Sequence, residues 1–124
     1  MKSVSIVSRW IMGAIFILAG LNGWLVFFGY SPFLPTSPKA MDFFQFPYLL
    51  FTEKTVEVIG GLLLLSNRFV PLTLIILAPI VGNILLFHLF ADLSLLPLAM
   101  VLTVLEGILL WHYRACYQPL LRAK

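Results

Sequence analysis

The stretch Thr52–Asn67, TEKTVEVIGGLLLLSN, constrains this chain most, because three charges sit inside a run that is otherwise apolar and of membrane-crossing length. Glu53 and Glu57 are four residues apart and share one face of a helix, with Gly60 or Gly61 and Leu64 continuing that stripe. Each charge at the centre of a spanning helix costs ~2.5–3.5 kcal/mol to insert, whereas a Leu, Ile, Val or Phe returns only ~0.3–0.6 kcal/mol. The three charges therefore outweigh the apolar residues of their own segment. Such a helix needs neighbours that shelter Glu57, and the rest of the chain has to supply them.

Composition identifies the solvent. The 124 residues form one domain, 61% of them hydrophobic and 10% charged, with a mean hydropathy of +1.04. A soluble fold of this size has no interior large enough for that much apolar surface, so lipid is the partner for most of it. The formal charge of +3 does not mark a nucleic-acid binder, because the basic residues fall at the ends of apolar segments, where they set topology. Cys116 is the single cysteine, which excludes an internal disulfide or a CxxC redox pair.

The expected fold is an all-α integral membrane protein, an antiparallel four-transmembrane-helix bundle with both termini cytoplasmic. Its spans are read at 10–28, 47–66, 71–91 and 95–113, with one long outer loop at 29–46. Spans of this length measure ~29–32 Å at 1.5 Å per residue, which matches a hydrocarbon core of ~30 Å. Lys2, Arg9, Arg68, Arg114, Arg122 and Lys124 then share one side and only Lys39 lies opposite, so the positive-inside rule places that first side in the cytoplasm. Trp10, Trp111, Tyr113 and Tyr117 mark the inner interface, and Trp24, Tyr30 and Tyr48 the outer one. Ala19 and Gly23 form a small-xxx-small pair in the first span. Pro79 and Gly82 predict a kink in the third, with Asn83 partnering the carbonyls freed there. In the outer loop, Ser37-Pro38 reads as an N-cap and first turn, opening a short helix. Its Met41, Phe43, Phe44 and Phe46 should cover the mouth of the bundle.

Counting residues from the span ends puts Asn22, Glu53, Glu57, Asn83 and Glu106 within roughly 5 Å of the midplane. His88 lies closer to the outer face and is expected to pair with Asp92 at the end of its helix. These six residues, Glu57, Glu106, His88, Asn83, Glu53 and Asn22, are the candidates for ligand binding or proton relay. An ionised carboxylate at that depth must be paired or take up a proton, and Glu57 is the strongest candidate. Lys54 neutralises Glu57 or snorkels outward, where Glu53, nearer the interface, is the expected partner; Glu106 is expected to bond Thr103 or a main-chain carbonyl. The two asparagines also read as interhelical hydrogen-bond glue. No metal-ligand spacing, phosphate loop or nucleophile elbow is present in the sequence, and no catalytic residue is assigned.

The stretches RWIMGAIFILAGLNG, VEVIGGLLLLSNRFVPLTL and PIVGNILLFHLF resemble the DoxX family of small four-span bacterial membrane proteins, and the likeness covers all four spans. The positions that match the family pattern are Arg9, Gly13, Gly20, Glu57, Gly61, Arg68 and His88, whereas Asn22 stands near a position where many family sequences have lysine. The resemblance implies a multi-pass protein of the bacterial inner membrane, associated with a quinol oxidase or with sulfur redox chemistry. It implies a quinone as the cofactor class and membrane redox proteins or further copies of the chain as partners; most family members have no assigned activity. Three functions stay open at this level. They are a redox-associated, quinone-binding subunit that is not an enzyme by itself, a small oligomeric proton-coupled transporter, and a non-catalytic assembly subunit.

Overall fold

A computed structural model describes residues 2–34 and 38–123. The expected N-cap at Ser37 lies outside the described residues. All described regular structure is helical: α1 (Lys2–Phe27), α2 (Pro38–Phe43), α3 (Pro47–Ser66), α4 (Val70–Phe90), α5 (Leu96–His112) and α6 (Arg114–Tyr117), with 3₁₀ turns at Leu93–Leu95 and Gln118–Leu121. Three helical stretches are long and apolar enough to cross a membrane: Lys2–Phe27, Val70–Phe90 and Leu93–His112. The fourth long helix, α3, matches them in length but carries Glu53, Lys54 and Glu57.

The four long helices close into a ring in which α1 packs on α3 and α5, and α4 packs on α3 and α5. The α1–α3 pair is the most extensive and runs antiparallel, because Gly13 lies opposite Gly61 and Leu65 while Gly20 and Gly23 lie opposite Val58 and Lys54. Glycines let the backbones meet: a β-carbon on Gly61 would lie 2.7 Å from the Gly13 carbonyl oxygen, and one on Gly20 would lie 2.9 Å from that of Lys54. The seam therefore runs along Gly13, Gly20 and Gly23 rather than the expected Ala19–Gly23 pair; Ala19 faces a cavity instead. Met12, Phe16, Leu64, Leu74, Leu77, Leu102 and Leu109 fill the centre of the ring. The outward faces are equally apolar, with Ile59, Leu62, Leu72, Ile76 and Val104 about half exposed. A helix apolar all round suits a lipid surround.

Helix α1 starts at Lys2, eight residues before the apolar run that predicts it. The added turns are amphipathic and bury Ser5, Ser8 and Arg9. Arg9 reaches the end of α3, where its Nη1 donates to the carbonyls of Leu64 and, at 3.3 Å, of Leu65. The same helix end closes as a Schellman motif: Asn67 is left-handed at φ 58°, its N–H bonds Leu64 O at 3.3 Å and the Arg68 N–H bonds Leu63 O at 3.0 Å. Carbonyls that a helix end leaves orphaned are thus satisfied by backbone and by a buried cation, which also suits the negative end of the helix dipole. Phe69 follows with φ 51°, an uncommon conformation for a bulky residue, and Pro71 then opens α4 in its first turn. Helix α4 continues through Pro79 as one helix. Beyond α5 the chain folds back, with the Tyr117 hydroxyl donating to Pro71 O at 2.8 Å and Arg114 stacked 4.3 Å from the Trp111 ring.

Candidate functional site

At the α2 end of the ring the helices part to leave a cavity of about 320 Å³. Ile15, Phe16, Ala19 and Val26 of α1, Ile84 and Phe87 of α4, and Leu98 and Leu102 of α5 make its walls largely apolar. Met41, Phe43, Phe44 and Leu34 line it from the connecting segment, with Phe43 49% and Leu34 38% exposed. Phe46 does not take part; it is exposed and lies against Tyr48 with ring centroids 6.2 Å apart. The lid is held by polar and aromatic anchors together. The Lys39 ammonium donates to Ala91 O at 2.8 Å at the end of α4, a position that favours a cation. Phe43 meets Phe87 edge-on at 5.8 Å.

Asn22 supplies the third anchor. Its Oδ1 accepts the Leu34 N–H at 2.9 Å and its Nδ2 donates to Leu34 O at 3.4 Å, a two-point clamp on an irregular backbone that would otherwise lie unpaired beside apolar walls. The side chain read as helix glue or ligand is thus engaged in holding the lid down. Nothing in the sequence marks Leu34, because its contribution is main-chain only.

The polar floor comes from α3. Glu57 is 1% exposed and its Oε2 accepts from Lys54 Nζ at 3.3 Å. Glu53, one turn earlier on the same helix, lines the cavity beside it. Two acidic side chains and one ammonium thus meet at the floor of the cavity. Lys54, expected to pair with Glu53, pairs with Glu57 instead, since the lysine stem crosses the bare backbone of Gly23. Gly23 belongs to the site for that reason. The signal for it was legible, because residues 13, 20 and 23 fall on one helical stripe.

Helix α4 contributes Asn83 and His88 to the opposite wall. The Nδ1 of His88 lies 2.9 Å from Asp92 O. A carbonyl only accepts, so Nδ1 carries the hydrogen and, in the neutral ring, Nε2 is the acceptor. The expected His88–Asp92 pair forms through the main chain; the Asp92 carboxylate instead caps the following turn, accepting from the Ser94 N–H at 3.1 Å. Asn83 does not bond the backbone near Pro79. It is exposed on the cavity wall and makes no hydrogen bond among the described residues. Glu106 is separate from all of these. It is 5% exposed in the lower half of α5, and neither carboxyl oxygen has a hydrogen-bond partner among the described residues. Thr103, expected as its partner, donates to Ala99 O at 2.8 Å, the back-bonding that a helical threonine finds nearest. Five of the six candidates therefore gather at the cavity and Glu106 does not.

Fold and site together define a helical protein of membrane-compatible surface with a lidded apolar cavity over an acid–lysine cluster. Comparison with protein-family models, with curated proteins and with solved structures finds no match to this chain.

Proposed function

We propose that the chain is a DoxX-type, four-span protein of the bacterial inner membrane, with both termini cytoplasmic, that binds a neutral amphiphile in the outer-half cavity. The observation that carries this reading is the combination of about 320 Å³ of apolar space with the Glu53–Lys54–Glu57 cluster at its floor. An apolar body fills the walls, a polar headgroup meets the floor, and the acid pair gives or takes one proton there. The family resemblance makes a quinone-type headgroup the leading occupant. Electrons then come from a membrane redox partner, while this chain supplies the seat and the proton.

The second reading, proton-coupled transport, draws on a different observation. Met12, Leu64, Leu74, Leu77 and Leu109 form a packed layer that takes no part in the cavity's lining. Such a packed layer beside a cavity is what one state of an alternating-access carrier needs.

The deciding experiment is the ligand content of protein purified in native-lipid nanodiscs, extracted with solvent and compared with protein-free nanodiscs of the same lipid. A neutral amphiphile enriched with wild-type protein and reduced about tenfold or more in Glu57→Gln, with helicity retained, is the expected result. No enrichment, with proton-dependent flux in liposomes, transfers the assignment to the transporter. Should Glu57→Gln behave as wild type while Glu57→Leu unfolds the protein, the carboxylate is structural and both readings fail.

A further inference from the structure

A lysine within a spanning helix ordinarily extends its stem so that the ammonium reaches toward the headgroups. Lys54 does the opposite, and the reason lies on the facing helix. A β-carbon at Gly23 would fall 2.3 Å from Lys54 Cγ, 2.5 Å from Cδ and 2.7 Å from Cε, so the whole lysine stem runs over bare glycine backbone. The stem is directed along α1 into the cavity. At its end Nζ lies 3.3 Å from Glu57 Oε2 and 6.0 Å from the centre of the Phe44 ring.

An alkyl chain ending in an ammonium, set between a carboxylate and an aromatic face within apolar walls, is the arrangement by which a protein binds a lipophilic amine. Here the chain fills that seat with its own side chain. With Lys54 in place, the buried Glu57 carboxylate already has its counter-charge. A second cation would meet like charge in a low-dielectric space, whereas a neutral headgroup would not.

We propose that Gly23 and Lys54 set the charge selectivity of the cavity, Lys54 occupying the ammonium seat so that neutral amphiphiles enter and lipophilic cations are refused. Gly23 is a positioning residue, acting through Lys54. The inference rests on the reading of the cavity as a ligand site and adds which charge class that site takes.

Octan-1-ol and octylammonium share a tail and differ in headgroup charge, and their binding to the full chain in lipid nanodiscs is measured against protein-free nanodiscs. Wild type should bind octanol at least about tenfold more tightly than octylammonium. Lys54→Met keeps the stem and removes the charge, and Gly23→Ala pushes the flexible stem off its track; each should shift the ratio toward octylammonium by about tenfold or more. In the double variant Lys54→Met with Glu57→Gln the gain should vanish, because the carboxylate partner of the seat is gone. That dependence separates a seat from a general loosening of the bundle. An unchanged ratio in folded Lys54→Met overturns the proposal, and that variant decides alone if Gly23→Ala does not fold. If wild type binds neither probe but Lys54→Met gains octylammonium, the seat stands and the neutral-ligand function falls.

Discussion

Replacing Arg9 by methionine tests the buried contact between α1 and the end of α3. The guanidinium donates to Leu64 O and Leu65 O, and the residue is 8% exposed. Hydrogen bonds from a charged donor contribute about 1.5–3 kcal/mol each, but three considerations reduce their sum. Leu64 O keeps a bond from the Asn67 N–H at 3.3 Å, so only Leu65 O loses its side-chain donor without that backup. The 3.3 Å bond to Leu65 is long. Removing a buried charge also relieves its desolvation cost. The expected net loss is about 2–4 kcal/mol, with the helix-dipole contribution included. Arg9→Lys should recover only part of it, since a compact ammonium is more strongly hydrated than a guanidinium and costs more to bury. The measurement is equilibrium unfolding in detergent micelles, followed by far-ultraviolet circular dichroism. An Arg9→Met protein within about 0.5 kcal/mol of wild type would refute the reasoning and leave Arg9 as a topology charge alone.

Gly61→Ala should destabilise by about 1–3 kcal/mol, because its β-carbon would lie 2.7 Å from the Gly13 carbonyl oxygen, a backbone atom that cannot swing aside. Gly107→Ala, with nothing within 4 Å of the added carbon, should instead be neutral or gain up to about 1 kcal/mol; equal effects at the two sites in the same unfolding assay would contradict the seam. At the inner end, burial first, then the charges of Glu106, Cys116 and Tyr113, push the Tyr117 phenol up to about 12 from 10.0. The folded state thus holds a proton that the unfolded state releases, so this contribution is complete below pH 10 and is lost as pH rises through about 12. Tyr117→Phe should flatten that alkaline decline in a pH series of thermal unfolding, and an unchanged slope would show that Tyr117 is not its source.

The sequence by itself determined the segments. Pro47 and Asn67 bracket α3, whose observed range Pro47–Ser66 is the one read from the chain, and α4 and α5 fall within a residue of their expected bounds. Proline at a first turn and a left-handed residue past the last turn act locally, so local sequence reveals them. Membrane-compatible length and hydropathy were legible for the same reason. The start of α1 was not, since Ser5, Ser8 and Arg9 are polar and become buried only against neighbouring helices.

The tertiary structure decided the partners. Lys54 reaches Glu57 because Gly23 stands across from it, Asn22 holds the main chain of Leu34, Thr103 bonds Ala99 O, and Glu106 lies away from the cavity that the other candidates share. In a soluble amphipathic helix the apolar stripe announces which face turns inward. In α4 and α5 the outward Leu72, Ile76 and Val104 are as apolar as the inward Leu74, Leu77 and Leu102, so periodicity marks no inner face. Which side chains meet then depends on helix rotation and on close approach at Gly13, Gly20, Gly23 and Gly61, and those are properties of the packed ring rather than of any one segment.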